Sequence, residues 1–139
     1  EDLFKRVTGI SDLPNNLHIA GEHKNSEVRE WLAAADTVLL LGTRSNERSY
    51  RHTSPMKAYE YMAAMRPIVA SRTPALESII KSDEALFYEP DNADDLARVI
   101  KIATQGGGSV SSMVARAGGK AKEHSWKRRA ERIISFMSL

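Results

Sequence analysis

The stretch HTSPMKAYEYMAAMRPIVAS, residues 52–71, decides how the rest of this chain is read. Ser54 is a good helix N-cap, because its hydroxyl can accept from an amide of the first turn. Pro55 suits the first helical position, where a missing N–H is no loss. The helix they open runs into Arg66 and Pro67, which stop it, and the apolar run PIVAS (67–71) then reads as a buried strand. A helix that feeds directly into such a strand is a piece of a parallel sheet.

Working outward, the same alternation continues on both sides. Downstream, TPALESII (73–80) reads as a helix capped by Thr73 with Pro74 at its first position, and ALFYEP (85–90) as a strand ended by Pro90. NADDLARVIKIAT (92–104) has Leu96, Val99, Ile100 and Ile102 as its apolar stripe, and GGG (106–108) is a linker. A weaker helix (111–124) and an amphipathic one (125–137) follow, the latter with Trp126, Ala130, Ile133, Ile134 and Met137 as its expected inner face. Upstream, DTVLLLGT (36–43) is a strand of the kind buried on both sides, and SEVREWLAAA (26–35) is a helix with Ser26 as N-cap. NLHIAG (16–21) reads as a further short strand, and RSNERSYRHT (44–53) as a long polar loop. The expected architecture is α/β, a parallel sheet with helices on both faces, forming a single domain over 1–139 that ends in the helices of 110–139. In such sheets ligands sit beyond the carboxyl ends of the strands, the edge from which loop 44–53 leaves.

The chain has 139 residues, enough to bury a core without staples. It has no cysteine, which excludes a disulfide framework, a thiolate nucleophile and a Cys-based metal site. Its net charge of +2 gives no argument for nucleic acid, and no apolar run is long enough for a membrane span. The start EDLFKR is no signal peptide. Neither metal-ligand spacing nor a Ser/His/Asp constellation is evident.

What the quoted stretch can do is bind an anion. Free amides after Pro55, on Met56 and Lys57, join the helix dipole, and Lys57 adds a charge in the same turn. Arg44, Arg48 and Arg51 precede it against Glu47 alone. Glu60 follows Lys57 by three residues on the same face, and a carboxylate can grip two adjacent hydroxyls. Diphosphate at the helix start and ribose one turn on, a rise of ~5.4 Å, fits a nucleotide. Each feature also has a plain reading: Ser-Pro as helix punctuation, Lys57 and Glu60 as a solvated pair, the arginines as a solvated loop, and His52 as a loop residue. Met56, Tyr59, Met62, Trp31 and Trp126 read as core.

The order AADTVLLLG, polar loop, SPMKAYEYMAAMRPIVAS, PALESII, ALFYEPDNADDLARVI and HSWKRRAERI resembles the carboxyl-terminal domain of GT-B glycosyltransferases. Within them it is closest to the retaining family 4 (glycosyl transferases group 1), in its Ser-Pro-x-Lys variety. The likeness runs from about Asn16 to Ile134. It implies a Rossmann-like half of a GT-B fold that holds a nucleotide-diphosphate-sugar donor, with the acceptor on a separate amino-terminal domain. By this resemblance Glu60 is the second glutamate of an E-x7-E motif and meets the ribose. Thr53, Ser54 and Met56 form the segment facing the diphosphate, and Lys57 is the lysine of the variant motif. Glu22 and His23 lie near the base. The first glutamate of the motif falls at His52, beside the sugar, where this chain departs from the pattern. A second departure is Met65, where the family usually has Gly. If that backbone is left-handed, Met costs about 1 kcal/mol there. No catalytic nucleophile or general base is assigned, and neither a cofactor nor a metal is expected, the nucleotide sugar being substrate.

The family's domain also begins with two more strands and a basic pair, which this chain is expected to lack. Either it is a fragment, with no transfer activity alone, or its first strand pairs differently. The expected location is the cytosol, with peripheral contact of the basic terminal helix on a membrane as an option. Two other functions stay open, a non-catalytic nucleotide or anion module and a pure interaction domain.

Overall fold

The computed structural model describes residues 6, 9, 13–52 and 56–137. Its elements are α1 (Asn25–Ala34), β1 (Val38–Leu40), α2 (Glu47–His52), α3 (Lys57–Ala63), β2 (Ile68–Ser71), α4 (Pro74–Glu77) and β3 (Leu86–Tyr88), then α5 (Ala93–Gln105), α6 (Gly108–Glu123) and α7 (Trp126–Met137). The three strands form one parallel sheet in the order β1-β2-β3. Val38 pairs with Ile68, and Val69 with Leu86. The register of β1 is pinned from outside the ladder, because both Thr37 Oγ1 (2.9 Å) and the Val38 amide (3.0 Å) donate to the Pro67 carbonyl.

The α/β expectation holds, and the strand period of two explains how. Ile68 and Ala70 turn to one face, where Val38, Leu40, Ala58, Met62 and Ala117 complete a cluster. Val69 turns to the other face and meets Val99 and Ala103 of α5. Helices therefore cover both faces, and all four residues of β2 are buried. Helix α5 lies over β2 and β3. Leu39, on that same face of β1, is 37% exposed, so β1 is not buried on both sides as its apolar run predicts.

Caps account for the clean boundaries. Thr73 accepts from the Leu76 amide at 3.3 Å and opens α4, as read from Thr-Pro. Asn92 accepts from the Asp95 amide at 3.0 Å and opens α5, while Asp95 reaches back to accept from the Glu89 amide at 2.7 Å. Gly106 (φ 72°) and Gly107 (φ 113°) turn the chain between α5 and α6, a conformation that L side chains rarely adopt. Helix α3 is capped at Ala64, and Met65 then takes a left-handed backbone (φ 56°), the conformation at which the resemblance makes glycine usual. Met65 lies against the buried Gly118 of α6, which has no Cβ to collide with its sulfur. Lys120 of α6 donates to Glu84 Oε2 (2.7 Å) and to the Ile79 carbonyl, tying α6 to the approach of β3.

Several expectations are corrected. Segment 16–21 forms no strand and is exposed throughout. No described strand pairs with it, and an unpaired strand has nothing to satisfy its backbone groups but water. Ser26 is not the cap of α1; the helix begins one residue earlier behind Lys24, with no side-chain cap. Loop 44–53 contains α2, with Glu47 in its first turn and Arg51 and His52 in its last, each charge suiting the dipole end it occupies. Ile102 faces solvent and Ala103 takes its place in the core of α5. Trp31 (51% exposed), Trp126 (73%) and Met56 are not core residues, and α7 buries none of its side chains.

Candidate functional site

The carboxyl edge of the sheet is closed by a polar network that spans distant sequence. Arg44, just after β1, forms an ion pair with Glu89, just after β3. The Arg44 amide donates to Asp91 Oδ2 at 2.8 Å. A hydrogen bond to the Tyr50 side chain, then the Glu89 charge, hold the Arg44 guanidinium all the more firmly protonated. The Asp91 carboxyl lies below the usual carboxylate range, first because the Arg44 amide donates to it, then because the Thr43 hydroxyl does. Asp91 itself is left-handed (φ 62°), a conformation that Asp and Asn adopt more readily than most residues. On the same edge Arg51 pairs with Glu47 at 3.4 Å. The basic excess read from 44–57 is therefore partly cancelled, by Glu89 and Asp91 from outside that window.

Beside this network a crevice of about 490 Å³ opens between the ends of β1 and β3, lined by Leu41, Gly42, Thr43, Ser49, Tyr88 and Asp91 among others. Gly42 is needed for its shape. The Ser71 hydroxyl donates to the Gly42 carbonyl at 3.0 Å, and a Cβ on residue 42 would meet Thr73 Cγ2 at 3.0 Å. Sequence reasoning pointed to this edge through loop 44–53 but did not find the residues after β3, Asp91 among them, that complete the crevice.

Glu60 stands between two larger cavities. One, of about 540 Å³, lies between α1 and α3 and is lined by Asn25, Val28, Arg29, Leu32 and Ala63 as well as Glu60. The other, of about 520 Å³, lies between α3 and the α6–α7 junction, where Met56, Tyr59, His124, Trp126 and Arg129 join Glu60. The Glu60 side chain is exposed and its negative charge, after burial, raises the Tyr61 hydroxyl above its ordinary value.

The residues expected to bind the donor fare differently. Thr53 and Ser54 lie outside the described residues, as does Pro55. Met56 is exposed at the start of α3 and shares the second cavity with Glu60. Lys57 opens α3 and is exposed; His52 is exposed at the last turn of α2. Glu22 and His23 precede α1 and do not line the first cavity; Asn25, just after them, does. His23 is engaged locally, with Nδ1 3.1 Å from Glu27, Nε2 3.1 Å from the Ala20 carbonyl, and its ring 4.6 Å from that of Trp31. Among the described residues no cluster of three His, Asp or Glu side chains could hold a metal ion.

Compared with known proteins, residues 1–105 match the family described as glycosyl transferases group 1. No curated protein matches the chain.

Proposed function

Because the chain belongs to the glycosyl transferases group 1 family, we propose that it binds a nucleotide-diphosphate-sugar donor for transfer to an acceptor held by a separate domain. The donor's ribose lies against Glu60, in the cavity between α1 and α3. The diphosphate meets Thr53, Ser54, Met56 and Lys57, whose amides and ammonium offset the charge that develops as the diphosphate leaves. The base lies toward Glu22 and His23, and the sugar toward His52. What supports this reading is the position of Glu60: an exposed carboxylate on the wall of a cavity of about 540 Å³, one turn from the start of α3, in a chain of this family.

Titration with uridine, guanosine and adenosine diphosphates, followed by amide chemical shifts, tests it. One nucleotide should move resonances of residues 52–60. Glu60→Ala should leave the fold intact and weaken that nucleotide by roughly tenfold or more, the usual effect of losing hydrogen bonds to a charged group. If no nucleotide moves these resonances, or if Glu60→Ala leaves affinity unchanged, donor binding at this site is wrong.

A further inference from the structure

Helix α2 (Glu47–His52) is six residues long and buries none of them. Isolated helices of that length are not stable in water, so α2 takes its place from what it is tied to. Its start is fixed locally. Asn46 accepts from the Ser49 amide at 3.0 Å through its side chain and from the Tyr50 amide at 2.9 Å through its carbonyl. One flank rests on α4. The tie to the far end of the sheet edge runs through Arg44, whose guanidinium donates to the Tyr50 hydroxyl.

Arg44 is in turn fixed from beyond β3. Glu89 takes its guanidinium, and Asp91 takes its amide at 2.8 Å. The Thr43 hydroxyl also donates to Asp91, and the same oxygen accepts from the Ser45 amide at 3.1 Å. The turn that leads into α2 is therefore held at consecutive residues. Asp91 serves this contact rather than the helix behind it: Asn92 caps α5, while the Asp91 carboxylate crosses to the loop after β1. Its left-handed backbone (φ 62°) is uncommon outside glycine, and such conformations cluster at functional sites.

We propose that Glu89 and Asp91 are positioning residues that, through Arg44 and Tyr50, set the orientation of α2 and so aim His52 at the sugar of the donor. This rests on the donor reading above and adds what holds His52 in place. An imidazole can donate to or accept from sugar hydroxyls, but such bonds weaken steeply once their angle falls below about 120°. His52 is exposed in the last turn of α2, so the helix, rather than a surrounding core, sets the direction in which it leaves the backbone. Two carboxylates some 40 residues later in the chain thereby govern that direction, because the fold brings the ends of β1 and β3 together.

The test compares the full chain with its Tyr50→Phe and Glu89→Gln variants. Tyr50→Phe removes the hydroxyl that Arg44 grips and keeps the ring over which Arg51 lies, 5.8 Å from its centroid. Glu89→Gln removes the charge opposite Arg44. In both variants the amides of α2 should exchange with solvent roughly tenfold faster, as the loss of one hydrogen bond to a charged group implies. Those of the fully buried β2 should keep their rates. Affinities for UDP and UDP-glucose, GDP and GDP-mannose, and ADP and ADP-glucose read the consequence. Each variant should weaken the sugar nucleotide that binds by roughly fivefold and its parent diphosphate by less than about twofold, a split that general loss of folded protein would not produce. Glu60→Ala should weaken both members of that pair and so reports on the donor reading separately. If no pair binds the unaltered chain, the donor reading falls and the sugar role of His52 falls with it. If Glu60→Ala weakens binding while Tyr50→Phe and Glu89→Gln leave it untouched, positioning by Glu89 and Asp91 is overturned and the donor reading stands. Unchanged exchange of α2 in both variants, or equal weakening of sugar nucleotide and diphosphate, overturns it as well.

Discussion

Replacing Gly118 with alanine isolates the contact between α3 and α6 in a single methyl group. A Cβ built on Gly118 lies 2.1 Å from Met65 Sδ and 3.3 Å from Met65 Cε. Ordinary van der Waals contact begins at 3.4 Å, so the thioether must retreat by more than an ångström. The retreat is hampered because the Met65 backbone is itself left-handed. Overpacking of this kind costs about 1–3 kcal/mol. Against it, alanine in a helix interior gains about 1 kcal/mol over glycine. Gly118→Ala should therefore destabilise by about 0–2 kcal/mol. Met65→Gly removes the obstacle and relieves a left-handed residue worth about 1–2 kcal/mol, offset by lost contacts and a looser unfolded chain. In that background Gly118→Ala should stabilise by about 1 kcal/mol. Urea unfolding of the four proteins, followed by circular dichroism, closes the cycle. A coupling of about 1–3 kcal/mol is expected. Effects that add within ~0.5 kcal/mol would show that Met65 does not occupy the space Gly118 leaves.

Two further perturbations follow from the polar contacts. Both Asp91 and Asp95 have lowered carboxyl pKa values, Asp91 first through the Arg44 amide and Asp95 first through the Glu89 amide and then through Arg98. A depressed carboxyl stabilises the fold above the unfolded value, about 3.9, and the contribution is lost as pH falls through the folded value. Stability should therefore drop with acid below about pH 4, and Asp91→Asn with Asp95→Asn should flatten that drop; an unchanged acid limb refutes the assignment. Lys120→Met should cost about 2 kcal/mol in urea unfolding, because Glu84 loses a partner in a mostly buried setting but keeps the Lys81 amide at 2.8 Å. A cost below ~0.5 kcal/mol would mean the pair behaves as a surface one.

Much of the sheet was legible because its signals are local. PIVAS is continuous and β-branched, Thr73 and Asn92 are followed by helix formers, and the glycines at 106–107 sit where the chain reverses. Position 65 was readable as left-handed only through family likeness, since methionine gives no such signal by itself. What failed depended on neighbours remote in sequence. The run 16–21 has strand composition, but a strand forms only where another strand accepts it. Leu39 reads as interior, yet whether its face is covered depends on where α5 lies. The stripe of α7 was visible, but periodicity does not say whether a stripe meets a core or something else. At the candidate site the placement of Glu60 on a helix, one turn from Lys57, was legible. The pairing of Arg44 with Glu89 was not, since only the fold brings the ends of β1 and β3 together.

The sheet order β1-β2-β3 leaves the two outer strands with one bonded neighbour each among the described residues. Both are three residues long. An open margin of that length offers a visiting strand only a couple of ladder bonds, too few to repay the ordering of the visitor. Brevity is thus a guard of these two described edges against runaway stacking into fibrils, where other proteins rely on lysines or prolines along the rim. Lengthening either outer strand by apolar substitution at its flanks would remove that guard, whatever it gained in stability for the single molecule.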